Sequence, residues 1–170
     1  LTPLRPVTLR VEAVEDAAPS ISARRESVEQ VVLETEIIPF DIAVDDDFGI
    51  RRVGLEWSVP GMSPEAPVAI AGEKLTAVGG PEIRQLTPRA TFSAAEEGIP
   101  PGIVKIRAWT EDYLPERERS YSPAFVLRVL DNTEHALWLT EQFSKWLGAA
   151  RETYEREQQL NITNKELRAL

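Results

Sequence analysis

The chain has 170 residues, of which 42% are hydrophobic and 28% are charged, and its formal net charge at pH 7 is −9. This composition is typical of a globular protein, and the acidic balance argues against nucleic acid and anionic lipid as partners, since both attract basic patches. Without cysteine, disulfides and thiol nucleophiles are excluded. No apolar run is long enough to cross a membrane and no signal peptide begins the chain, so we expect any export signal or anchor to lie outside this segment.

Short runs of alternating apolar and polar residues recur through the first 130 residues. The clear runs lie at 7–13, 40–44, 53–57, 104–108 and 125–129, and weaker runs lie at 30–35, 67–71 and 89–94. A period of two turns one face of a strand toward a core, and prolines and glycines separate the runs as turns do. The pattern predicts a mainly β fold, an antiparallel β-sandwich over residues 18–130.

The first of these runs has a counterpart near the end of the β region. Residues 9–11 and 127–129 both read Leu-Arg-Val. Either the match is chance, or both runs are closing strands of successive modules. In the second interpretation, residues 1–17 contain the closing strand of a preceding module and the linker that follows it.

Residues 131–170 contain no proline and one glycine, and their apolar side chains follow a helical period. Asn132 or Thr133 can cap the helix, and capping-box spacing at 163–166 predicts a second helix start. The apolar stripe that we expect to mediate interaction consists of Leu139, Phe143, Trp146 and Ala150. Such a stripe needs a partner: the base of the sandwich or, as we prefer, another helix from downstream or from a second subunit. The sequence predicts a helical extension, a helix pair or coiled coil, that is cut at residue 170.

Three segments of the β region carry a resemblance to a known family. Residues 43–53 read Ala-Val-Asp-Asp-Asp-Phe-Gly-Ile-Arg-Arg-Val, which resembles the strand–turn–strand of cadherin-like and other bacterial immunoglobulin-like repeats. Residues 102–112 resemble the penultimate strand of these repeats, and residues 120–129 resemble their closing strand. Residues 134–139 are similar to the helical region that follows such modules in large envelope-anchored bacterial proteins. The resemblance implies an immunoglobulin/cadherin-like sandwich with a C-terminal helical extension, in the periplasm or at the cell surface.

Acidic residues concentrate in the predicted linker and turns. In an immunoglobulin-like sandwich the linker and the turns after the second and sixth strands share one end, so these carboxylates can converge: Asp16, Asp45, Asp46, Asp47, Glu111 and Asp112, with Glu15 beside them. Calcium takes about six to eight oxygen ligands, and we therefore consider a calcium site here. The alternative is turn chemistry alone, in which Asp binds its own backbone and Gly49 supplies a positive φ.

Two tryptophans in the β region receive different predictions. Trp57 ends an alternating run and is expected in the core. Trp109 points away from Ile106 and Ala108 by alternation. It is expected either to lie exposed, as a platform for a sugar or a protein, or to pack under a loop or the helical tail.

No catalytic constellation stands out in the sequence. His135 is the single histidine, and neither a nucleophile motif nor a phosphate-loop spacing is present. We therefore predict a non-enzymatic structural or interaction module, a spacer, adhesion or assembly unit of a multi-domain bacterial surface or periplasmic protein. Its expected partners are neighbouring modules or a second copy through the helix. The alternative is a carbohydrate- or ligand-binding accessory domain of an exported enzyme.

Overall fold

The computed structural model describes residues 10, 12, 14–63 and 66–169. The strand predicted at 7–13 falls almost wholly outside them, so the proposed closing strand of a preceding module stays a prediction. Within the described ranges, ten strands precede one helix. They are β1 (Ser20–Arg25), β2 (Val31–Leu33), β3 (Ile38–Asp45), β4 (Ile50–Ser63), β5 (Ala66–Val78), β6 (Gln85–Leu86), β7 (Arg89–Phe92), β8 (Gly102–Asp112), β9 (Ser120–Tyr121), β10 (Phe125–Leu130) and α1 (Asn132–Arg168).

The strands form two sheets. In the small sheet, β3 pairs with β1 along one side and with β6 and β7 along the other. In the large sheet, the order is β2-β10-β8-β4-β5, and β9 pairs with β8 beyond the end of β10. Every pair is antiparallel except β2 with β10, which is parallel. The predicted mainly β, antiparallel fold is confirmed at this level.

The core lies between the two sheets and follows the alternation of the sequence. From the small sheet Phe40 meets Phe125 of the large sheet edge to face, with ring centroids 5.2 Å apart. Phe92 meets Trp57 in the same way at 5.5 Å, so the core position predicted for Trp57 is confirmed. Because every second residue of β3, β4 and β8 points into this layer, the two sheets bury a continuous apolar core.

The helix leaves the sandwich directly after the closing strand. The cap is Asp131, whose Oδ1 accepts from the backbone N–H of Glu134 at 2.8 Å, rather than Asn132 or Thr133. The second helix start predicted at 163 is also wrong. The Thr163 hydroxyl donates to the carbonyl of Gln159 one turn back, as it does inside a helix, and α1 runs through without a break. Among the described residues, no helix is apolar enough over a sufficient length to span a bilayer.

Candidate functional site

Three of the predicted acids meet at one end of the sandwich. Asp16 precedes β1, and Asp46 and Asp47 form the turn between β3 and β4. Each offers a carboxylate oxygen, and these oxygens lie within 4.8 Å of one another. We call these three residues the acidic cluster. The predicted linker and the turn between β3 and β4 therefore converge, as expected from the sequence.

An arginine that the sequence analysis did not single out lies against this cluster. Arg117, in the loop between β8 and β9, pairs through Nη1 with Asp16 Oδ1 at 2.9 Å and with Asp112 Oδ2 at 2.6 Å. It also donates to the main-chain carbonyls of Asp16 and Ala17, at 2.5 Å each. The Asp112 side chain is only 4% exposed, so this arginine supplies the counter-charge of a buried carboxylate. Arg117 fastens the segment before β1 to the sandwich.

Asp46 makes the turn and still retains a free acceptor. Its Oδ2 accepts from the N–H groups of Gly49 at 2.6 Å and Phe48 at 3.3 Å, which is the expected turn chemistry. The residue is 6% exposed, and its Oδ1 is buried without a hydrogen-bond partner in the described structure. A buried carboxylate oxygen of this kind is stabilised by a cation. The two interpretations of this turn are thus compatible.

The positive φ expected of Gly49 is wrong. The glycines with positive φ among the described residues are Gly98 and Gly102. A Cβ on Gly49 would instead lie 2.4 Å from the carbonyl oxygen of Pro81. Glycine is needed there because another stretch of backbone approaches closely.

Two of the remaining predicted ligands, Glu111 and Asp45, have partners of their own outside the cluster. Glu111 neighbours Asp112 in β8 and therefore points to the opposite face of the large sheet, where its carboxylate binds Arg52 at 2.7 Å and Arg119 at 2.9 Å. Asp45 accepts from Gln85 Nε2 at 2.8 Å on the small sheet. The grouping of all six acids into one metal site is thus wrong for Glu111 and Asp45, and Asp112 is already bound to Arg117.

The arginines around Glu111 determine its protonation. Partial burial raises the pKa of its carboxyl group, but the hydrogen bonds donated by Arg119 and Arg52, with their charges, outweigh burial and hold that pKa below its ordinary value. Arg119 also binds Glu73 and lies over the ring of Trp109, at 3.9 Å from the centroid. These contacts form a network on the outer face of the large sheet.

Trp109 lies beneath this network and is 2% exposed. Its ring packs on Gly54, where a Cβ would lie 2.5 Å from the ring carbon Cζ2, and Arg119 covers the other side. Of the two predictions for Trp109, exposure as an interaction platform is wrong and packing under a loop is confirmed. The covering side chain comes from the loop between β8 and β9, so alternation within β8 alone gives no sign of it.

The predicted helical stripe is solvent-exposed throughout. Leu139, Phe143, Trp146 and Ala150 are all exposed, and α1 has no buried residue among those described. The helix does not fold back on the sandwich as one alternative had it. Beyond the predicted stripe and the polar run at 155–159, Leu160 and Leu167 are also exposed on α1.

Comparison with known proteins gives little further information. No family model and no curated protein matches the chain. Among solved structures it is similar to a β-glucosidase from Listeria innocua in complex with isofagomine (TM-score 0.37, 10% identity, 65% of this chain, 16% of that one). It is also similar to the alkylpurine DNA glycosylase AlkC from Pseudomonas fluorescens bound to DNA (0.41, 13%, 66% and 31%). A third is a Niemann-Pick type C2 protein from the Japanese carpenter ant (0.42, 12%, 68% and 91%). These TM-scores are too low to support a conclusion about fold type or function.

Proposed function

We propose that the chain is a non-catalytic structural and interaction module, in which a rigid sandwich holds a long helix out for association with another protein chain. The observation that carries this proposal is α1. Its 37 residues follow the closing strand after the single residue Asp131, and none of them is buried. At a rise of about 1.5 Å per residue the helix is about 55 Å long.

This helix lacks the packing on which helices in proteins depend. In proteins most helical stability comes from the packing of one apolar face rather than from intrinsic propensity. Full burial of one Leu or Phe side chain is worth about 1.5–3 kcal/mol. Phe143, Trp146 and Leu160 all stand exposed in the single chain, so a partner that covers them supplies this stabilisation.

The segment before β1 is suited to a protein built of consecutive modules. Arg117 holds Asp16 and Ala17 against the sandwich, so the segment that enters the domain has a fixed direction. Together with the resemblance of residues 43–53, this supports a cadherin-like or immunoglobulin-like module of a multi-domain bacterial protein at the cell surface or in the periplasm. The alternative of a carbohydrate-binding domain depended on an exposed Trp109, and no other observation favours it.

A truncated chain that ends at residue 131 tests this proposal. Because no residue of α1 is buried and the helix contacts the sandwich mainly at β2 and β10, the truncated chain should keep a melting temperature close to that of the intact chain and remain monomeric. A marked fall in melting temperature, or unfolding, would show that α1 belongs to the domain itself and would contradict the proposal. Circular dichroism at a strand wavelength together with light scattering provides both measurements.

The acidic cluster supports a second, accessory proposal, which is that it binds calcium. Three carboxylates, one of which includes the unpartnered Asp46 Oδ1, provide the hard oxygen ligands that calcium prefers. Asp16, Asp46 and Asp47 would hold the ion, and Arg117 would share Asp16 with it. The ion would tighten the linker against the turn between β3 and β4.

Thermal melts with excess calcium, with magnesium and with a chelator test the calcium proposal. A ligand at a hundredfold excess over its dissociation constant stabilises the folded state by about 2.7 kcal/mol. The matched control is Asp47→Asn, which keeps the turn made by Asp46 and removes one charge of the cluster. We expect a calcium shift that magnesium does not reproduce and that Asp47→Asn reduces, because the amide oxygen can still bind calcium but one negative charge is lost. No shift, or an equal shift in the variant, contradicts calcium binding here.

A further inference from the structure

The exposed face of α1 has a seven-residue repeat that runs well beyond the stripe seen in the sequence. One set of positions recurs at exact intervals of seven, and a second set lies four residues after each of the first four. In the heptad notation of coiled coils these are the d and a positions. The d positions are Leu139, Trp146, Thr153, Leu160 and Leu167, and the a positions are Phe143, Ala150, Glu157 and Asn164.

The charges of α1 are sorted with respect to this repeat. Most of them occupy the outer positions b, c and f, where they stay in water: Glu141, Lys145, Arg151, Glu152, Glu155, Lys165 and Glu166. Lys145 and Glu141 pair with each other on that outer face at 2.7 Å. Six of the nine a and d positions are apolar, and a mainly apolar seam with a charged outer face is the pattern of a two-stranded coiled coil rather than of a helix surrounded by solvent.

The polar residues at the a positions indicate which helix fills the seam. A single Asn at a specifies register and oligomer state, and in a parallel, in-register pair it faces an identical amide that can donate and accept a hydrogen bond. Asn164 finds that partner in a second copy of the same helix. In an antiparallel pair it would face an apolar residue of the other half of α1 and remain unpaired.

The charges beside the seam are compatible with the same arrangement. In a parallel, in-register pair the two Glu157 side chains at a face each other, and each lies next to Arg156 at the flanking g position of the other copy, which supplies an opposite charge. The g-to-e contacts pair Arg156 with Asn161 and Thr163 with Arg168. The g-to-e contacts bring no two like charges together, and the two Arg156 side chains offset the repulsion between the facing Glu157 carboxylates.

We propose that residues 139–167 of α1 form a parallel, in-register, two-stranded coiled coil with α1 of a second copy of this chain. This inference rests on the proposed function, in which α1 is the associating element, and it names the partner. Since both helices begin at the sandwich, the two sandwiches lie at the same end of the coiled coil. The dimer then holds its two sandwiches side by side at one end of the coiled coil.

Single cysteines test the register, because the chain contains no cysteine of its own. Leu160→Cys places a thiol at a d position, and Ile162→Cys places one at the outer f position of the same turn. The two native side chains are 57% and 58% exposed, so they differ in face rather than in accessibility. The Cβ atoms of a disulfide lie about 3.5–4.5 Å apart, a separation that identical seam positions of a parallel pair can reach.

On oxidation, we expect the covalent dimer of Leu160→Cys to form at least about tenfold faster than that of Ile162→Cys, a difference set by local thiol concentration. Equal rates overturn the proposal. So does a mixture of Leu160→Cys and Phe143→Cys that cross-links to each other while Leu160→Cys alone does not, since a d residue faces an a residue in an antiparallel pair.

Sedimentation of the intact chain gives a second readout with the same matched pair. Leu160→Glu places a charge in the seam and should weaken the dimer at least about tenfold, whereas Ile162→Glu should change its dissociation constant less than about threefold. Equal effects overturn the proposal, as does an intact chain that stays monomeric at concentrations of hundreds of micromolar. If the truncated chain keeps its melting temperature and the intact chain is monomeric, the proposed function as an interaction module is retained, and a second copy of the chain is excluded as the partner of α1.

Discussion

A glycine-to-alanine pair tests whether the sandwich and the helix are energetically separate. Gly54 lies in β4 under the ring of Trp109, and Gly148 lies on the outer face of α1. An added Cβ at Gly54 would stand 2.5 Å from Trp109 Cζ2 and 2.6 Å from the carbonyl oxygen of Lys74. An added Cβ at Gly148 would meet nothing within 4 Å. The same substitution therefore has opposite expected effects at the two sites.

The magnitudes follow from these contacts. Forcing a methyl group into a packed site costs about 1–3 kcal/mol, and replacing glycine returns about 0.4–1 kcal/mol by restricting the unfolded chain. Gly54→Ala should then destabilise the sandwich by roughly 1–2 kcal/mol, because the backbone carbonyl cannot move aside as a flexible side chain can. Gly148→Ala should stabilise the helix by about 1 kcal/mol and leave the sandwich unchanged.

Urea unfolding is followed by near-ultraviolet signals for the sandwich and by ellipticity at a helical wavelength for α1. We expect Gly54→Ala to lower the sandwich midpoint and Trp109→Leu in the same chain to recover part of the loss. Gly148→Ala should raise only the helical signal. A Gly54→Ala chain as stable as the parent would refute the close packing of Trp109, and a shift of the sandwich midpoint by Gly148→Ala would refute the separation of the two parts.

Two further predictions concern the arginine contacts. Arg117→Met should lower the melting temperature by several degrees more than the control Arg89→Met. Arg117 compensates the charge of the buried Asp112, whereas Arg89 pairs with Asp41 at 3.6 Å in solvent. Equal melting temperatures in the two variants would contradict this expectation. The pKa of Glu111 is held below its ordinary value of 4.5, so its ionised form contributes stability above that value and loses the contribution as the pH falls through the depressed pKa. Glu111→Gln should therefore have a lower free energy of unfolding than the parent at pH 7, and the two free energies should approach each other as the pH falls. A difference in free energy that stays constant with pH would contradict the pairing of Glu111 with its arginines.

The sequence predicted the β architecture because its strands are half-buried and alternate. The pattern at 40–44, 53–57, 104–108 and 125–129 corresponds to β3, β4, β8 and β10. Strand β1 and the two-residue strands β6 and β9 were missed, because they carry few of the core residues and their pairing depends on neighbours distant in the chain.

The candidate sites could be predicted only where they depend on local rules, such as the positions of turns and the alternation of side chains along a strand. Asp16, Asp46 and Asp47 converge because turns and linkers gather at the ends of a sandwich. Glu111 does not join them, since a one-residue step in a strand reverses the face, and this step could have been applied to the sequence. By contrast, the contacts of Arg117 span 100 and 101 residues to Ala17 and Asp16, and no local pattern reports a contact over that distance.

Hydrogen exchange of the intact chain, measured along α1 at low and at high protein concentration, shows whether association packs the helix. We expect amide protection over residues 139–167 to rise with concentration, while protection in the sandwich strands stays constant, because only the helix gains its packing by association. A helix that remains unprotected at the highest concentration, or one that is equally protected at every concentration, would contradict the claim that α1 is held in place by a second chain.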